Sequence, residues 1–120
     1  MKKILILDDD PSLLALVRVF LSGEYEVAAF SQGEAALEAA VKINPDIIFT
    51  DVLMPGMTGY EFMVNLKRAD SPIKHIPIIV MSTRESMEMI FDEQAIVSFL
   101  PKPFTKDDLK NAVADALNAK

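Results

Sequence analysis

Three consecutive aspartates end the first apolar run of the chain. Ile4 to Leu7 lead straight into Asp8, Asp9 and Asp10, and Pro11 follows. Adjacent like charges repel, so the cluster implies a capping role or a cation. Asp10 before Pro11 suits a helix N-cap, because a carboxylate accepts free backbone N–H groups and proline is favoured at the first helical position. Asp8 and Asp9 cannot both be caps. As a pair they suit a hard divalent ion: Mg2+ takes oxygen ligands from one or two carboxylates and keeps several waters. Mn2+ is the alternative for such a donor set.

Three further positions extend this chemistry. Asp51 opens the stretch "DVLMPGMTG", where Pro55 and Gly56 force a turn and Gly59 allows close backbone approach. Carboxylates held together favour protonation, whereas a bound cation keeps them ionised and nucleophilic. Ser82 supplies a hydroxyl donor and Lys102 a compact cation. A carboxylate nucleophile, a divalent ion and a lysine are the parts needed to accept a phosphoryl group as an aspartyl phosphate. The Lys102–Pro103 bond is a candidate for the cis form, which would set the lysine's direction.

These residues need a frame. Five strand-like runs are each followed by a helical pattern: "KILIL", "YEVAAF", "DIIFT", "IPIIVMS" and "IVSFL". Leu13, Leu14, Leu16, Val17, Phe20 and Leu21 repeat at helical spacing after the first. "SQGE" reads as a capping box with Ser31 as N-cap, before a buried stripe of Ala36, Leu37, Ala40 and Val41. "TGYE" reads as a second box, before Phe62, Met63 and Leu66. Residues 85–93 carry a weaker helical pattern. "TKDD" starts a last helix with Leu109, Ala112, Val113, Ala116 and Leu117 facing inward. Alternating strands and helices predict an α/β fold, a parallel sheet covered on both faces, and the apolar strands fit burial on both sides. In such sheets ligands bind beyond the carboxyl ends of the strands. Asp8 to Asp10, Asp51, Ser82 and Lys102 all fall at strand ends.

Composition narrows the classes. The chain has 120 residues, 51% hydrophobic and 25% charged, which suits one globular domain. A net charge of −6 argues against nucleic-acid or anionic-membrane binding. The absence of cysteine excludes disulfides and thiolate sites and fits a reducing compartment. The apolar run after "MKK" is too short for a signal peptide and no run is long enough for a membrane span, so the cytoplasm is the expected location.

"ILILDDDP", "DVLMPGMTGYEF", "IPIIVMS" and "FLPKPF" together resemble the receiver domain of two-component response regulators, of the stand-alone chemotaxis type. The resemblance covers the whole chain as a single domain of residues 1–120, with no output domain. It implies a three-layer (βα)5 flavodoxin-like fold with strand order 2-1-3-4-5. It also implies Mg2+-dependent transfer of a phosphoryl group to Asp51 from a histidine kinase or histidine phosphotransfer protein. Asp9 matches a direct metal ligand, Asp8 a ligand acting mainly through water, and the backbone carbonyl of Leu53 the third protein ligand. Ser82 and Lys102 match the hydroxyl and the lysine that meet the phosphoryl group. Phe99 matches the aromatic that turns inward on activation, with a downstream protein target meeting the face of the fourth helix, fifth strand and last helix. The implied state is a monomer or a weak phosphorylation-dependent dimer, not a turnover enzyme. Thr83 departs from the family's usual Ala or Gly, and the stretch from Ser82 to Lys102 is slightly short.

Two rivals compete. "ILILDDDPS" also fits the signature of haloacid-dehalogenase-type phosphatases, with Asp8 as nucleophile and Asp10 as acid/base. That reading leaves Asp51 without a role. The other rival is a receiver fold used as a constitutive interaction module.

Overall fold

Apolar runs that alternate between two helix layers build the frame. The computed structural model describes residues 1–51, 59–66, 68, 75–82 and 98–118. The elements are β1 (Lys2–Leu7), α1 (Pro11–Leu21), β2 (Tyr25–Phe30), α2 (Gly33–Ile43), β3 (Ile47–Asp51), α3 (Gly59–Leu66), β4 (Ile78–Ser82), β5 (Ser98–Pro101) and α4 (Lys106–Asn118). All strand pairings are parallel, in the order β2-β1-β3-β4-β5. This is the flavodoxin-like arrangement expected from the sequence.

Successive strand residues face opposite sides, so each strand feeds two cores. Ile4 and Ile6 of β1 pack with Val17 and Leu21 of α1 and Leu109 and Val113 of α4. Leu5 and Leu7 pack with Ala36 and Ala40 of α2 and Phe62 and Leu66 of α3. Strands that serve both cores are largely apolar, and β3 is buried at every position. Full burial of a side chain such as Ile6 contributes about 2 kcal/mol. The direction of travel along the sheet reverses after β2, so α1 and α3, which follow the paired strands β1 and β3, pack on opposite faces of the sheet. This is the arrangement in which open α/β sheets bind ligands at the carboxyl ends of their strands.

Local signals explain several helix ends. Asp10 caps α1: its Oδ1 accepts the Ser12 N–H at 2.9 Å, and Pro11 occupies the first turn. Thr105 and Asp108 cap α4 reciprocally, each side chain accepting the other's N–H, at 3.1 and 3.0 Å. Asn44 ends α2 in the left-handed region at φ 51°, its N–H donating to the Ala40 carbonyl.

Two expectations need correction. Ser31 is not the N-cap of α2. The first helical bond runs from the Ala36 N–H to the Gln32 carbonyl, which makes Gln32 the cap, without a side-chain bond. Glu34 then falls too early in the helix to close a box. Val41 is not buried but 51% exposed, because the inward stripe runs Gly33, Ala36, Ala40 and Val41 turns away from it. The "TGYE" box depends on Thr58, and the expected helix over 85–93 and Thr83 also lie outside the described residues. No helix among the described residues is long and apolar enough to cross a membrane.

Candidate functional site

The carboxyl ends of β1 and β3 and the residue after β5 bring three charged side chains together. Asp8 follows β1 directly, and its N–H donates to the Phe30 carbonyl at 3.1 Å, which holds the backbone at the end of the sheet. Its side chain is 1% exposed. One carboxylate oxygen accepts the Asp10 N–H at 2.9 Å, and the other accepts from Lys102 Nζ at 2.7 Å. Asp51 is the last residue of β3 rather than the first of the loop, and it is buried. Lys102 Nζ lies 3.3 Å from its Oδ2. Lys102 therefore bridges Asp8 and Asp51. The Lys102–Pro103 peptide is cis.

Burial dominates the electrostatics. It pushes the Asp8 carboxyl above its ordinary value, helped by the negative charge of Asp51, and the bonds from Lys102 and the Asp10 N–H offset this only in part. Burial alone would pull Lys102 down, but the bond to Asp8 and the two carboxylates outweigh it and hold the ammonium above its usual value. One cation thus serves two buried acids.

Asp9 is exposed and joins the cluster from its outer side: carboxylate oxygens of Asp8, Asp9 and Asp51 all lie within 4.8 Å of one another. Three hard oxygen donors, one raised by burial, fit a hard divalent cation, which would offset that desolvation. Asp10, spent as a cap, stands apart from this set.

Ser82 is the last residue of β4 and lies opposite Pro101 of β5, one residue before Lys102. Phe99 is half-buried, packs against the core beneath α2 and α3, and pairs with Val80. The Leu53 carbonyl and the "MPGMTG" loop lie outside the described residues. One polar group escaped the sequence reading. Thr50, fully buried, donates from Oγ1 to the Asp51 carbonyl at 2.9 Å. A hydroxyl at the end of the aliphatic run "IIFT" was the available signal.

Comparison with known proteins bears on the family and the fold. The model of the response regulator receiver domain matches residues 4–114. The chain is 31% identical over 120 residues to the sensor histidine kinase TmoS of Ectopseudomonas mendocina, covering 98% of this chain and 12% of that protein. It is 31% identical over 111 residues to the DNA-binding response regulator MtrA of Mycolicibacterium smegmatis, covering 90% of this chain and 47% of that protein. The chain thus spans less than half the length of these curated relatives. Among solved structures, the chemotaxis protein CheY4 of Vibrio cholerae superposes with a TM-score of 0.86 at 33% identity, covering 98% of this chain and 99% of that one. Sequence match, strand order and the shared backbone thus agree, and the chain belongs to the response regulator receiver domain family of two-component systems.

Proposed function

We propose that this receiver domain accepts a phosphoryl group on Asp51 in a Mg2+-dependent reaction and thereby switches the binding of a protein partner. The observation that carries the reading is the bridge of Lys102 between Asp8 and Asp51, beside the outward carboxylate of Asp9. Asp51 is the better nucleophile in this set. Both Asp8 oxygens are engaged and its side chain is 1% exposed, whereas the Asp51 side chain is 13% exposed. This weighs against the phosphatase alternative, which needs Asp8 to attack.

An Asp51 carboxylate oxygen attacks the phosphorus of a phosphohistidine or a small phosphodonor. The new O–P bond forms as the P–N or P–O bond to the donor breaks, and the departing group keeps the electron pair and is protonated. Lys102, already 3.3 Å from Asp51, neutralises charge that develops on the phosphoryl oxygens. Asp8, Asp9 and Asp51, with the Leu53 carbonyl, would hold Mg2+, which when bound supplies further charge neutralisation there. Mn2+ serves the same oxygen set.

The product carries more negative charge and three strong acceptor oxygens. Ser82 and Lys102 bind them, and Phe99 repacks into the space that this movement frees. A shift from 1:99 to 99:1 needs about 5.5 kcal/mol, which two or three charge-assisted hydrogen bonds at roughly 1.5–3 kcal/mol each supply. The donor is a histidine kinase or histidine phosphotransfer protein. The responding face comprises residues 85–93, β5 and α4.

The test is intact-mass measurement after treatment with Mg2+ and a small phosphodonor. Wild type gains one phosphoryl group and Asp51→Asn gains none. An unmodified wild type, or an Asp51→Asn variant modified equally, would overturn the reading.

A further inference from the structure

Thr50 sits between Phe49 and Asp51 on a strand that is otherwise aliphatic or aromatic up to the candidate nucleophile. It is 0% exposed, and its register neighbours Leu7 and Val80 are equally buried. Valine would fill the same volume without a hydroxyl to satisfy, and a buried hydroxyl is unfavourable unless it is hydrogen-bonded. The bond it makes is to the next peptide: Oγ1 donates to the Asp51 carbonyl at 2.9 Å. Asp51↔Met81 is the last pair of the β3–β4 ladder, so this carbonyl lies at the end of the paired strand. In a dry apolar surround no water substitutes for the hydroxyl, and the bond is directional.

From this geometry we infer that Thr50 is a positioning residue for the Asp51 site. Its hydroxyl fixes the peptide plane that leaves Asp51. That plane sets where the Asp51 carboxylate stands relative to Asp8 and Lys102. The inference rests on the proposed role of Asp51 in metal binding and phosphoryl acceptance. Thr50 touches neither the metal nor the phosphoryl group, so its effect passes through Asp51.

Thr50→Val removes the hydroxyl at constant shape, and Thr50→Ser restores it without the methyl group. Calorimetric Mg2+ titration should show Thr50→Val binding about three- to tenfold more weakly than wild type, the range expected for one neutral hydrogen bond. Phosphorylation at saturating small phosphodonor and Mg2+ should slow by a similar factor. Thr50→Ser should come within about twofold of wild type in both. If Thr50→Val does not fold, Thr50→Cys, a weak donor of similar size, takes its place. Wild-type values for both readouts in the valine or cysteine variant overturn the inference, as does a serine variant as impaired as the valine one. A lowered Tm with unchanged Mg2+ affinity and rate reduces Thr50 to packing and overturns it as well. Wild type that takes no phosphoryl group refutes the function of Asp51 instead, and the Mg2+ arm still decides on Thr50.

Discussion

β1 has a lysine–aspartate cluster at each end, and the two behave differently. At the amino end the Lys3 N–H donates to Asp46 Oδ2 at 2.8 Å, and Lys2 Nζ lies 3.9 Å from Asp46 Oδ1. The Lys2 and Asp46 side chains are 62% and 37% exposed. Water solvates both, and such a pair is worth about 0–1 kcal/mol. At the carboxyl end Lys102 meets Asp8 at 2.7 Å, with side-chain exposures of 20% and 1%. There the Asp8 carboxylate is cut off from water, and a second acid shares the same cation. The same residue types close the end of a strand in one place and build a buried ion cluster in the other. The difference is burial and convergence: the carboxyl ends collect side chains from β1, β3 and the end of β5, whereas at the amino end, among the described residues, Asp46 meets only β1.

The contrast predicts effects of very different size. Asp51→Asn abolishes phosphoryl acceptance, while Asp46→Asn leaves it at the wild-type level. Intact mass after phosphodonor treatment reads both.

Stability should divide in the same way. Lys102→Ala removes the cation shared by two buried carboxylates and costs the metal-free protein about 2 kcal/mol, part of which returns with saturating Mg2+. Lys2→Ala, on the exposed pair, costs less than about 0.5 kcal/mol. Denaturant titration with and without Mg2+ measures both.

The acid dependence of metal binding comes next. Asp8 is held above its ordinary value by burial, so its proton competes with Mg2+ from above the usual Asp value of about 3.9. Affinity should be level near neutral pH and fall as pH drops through the raised value of Asp8, by about tenfold per pH unit for one proton displaced. Lys102 stays charged throughout, since its value is raised. Calorimetry across that range, in wild type and Asp46→Asn alike, should give the same slope.

The smallest effect belongs to Lys110 of α4, which donates to Glu24 at 2.6 Å on the surface. That bond lowers the Glu24 carboxyl, so the pair stabilises the fold above the ordinary Glu value and stops doing so as pH falls through the lowered one. Lys110→Ala should lower Tm only slightly at neutral pH. The difference from wild type should vanish in acid and in high salt.

Much of the frame was legible in the residue pattern. Runs such as "KILIL" and "DIIFT" have aliphatic or aromatic centres without alternation because both faces of the sheet are covered, and the helices between them repeat at helical spacing. Asp10 could be read as a cap because capping is a local event, settled by Asp10, Pro11 and Ser12 alone. The Ser31 box failed for a related reason. Whether a helix starts at one residue or the next depends on which carbonyl takes the first helical bond, and the pattern "SQGE" does not state that. Val41 was misplaced because packing against the sheet decides which face of α2 turns inward, and that face centres on Gly33, Ala36 and Ala40.

What the sequence determined by itself is the parallel α/β frame and the types of group that stand at its strand ends, because these follow from local periodicity and short-range caps. Tertiary structure decided which of those groups meet. Lys102 lies 94 positions from Asp8 yet bonds to it at 2.7 Å. Its choice of two acids, the raised Asp8 carboxyl and the hold of Thr50 on the Asp51 peptide all depend on packing that excludes water. Burial of that kind comes from the assembled sheet and its two helix layers, not from neighbours along the chain.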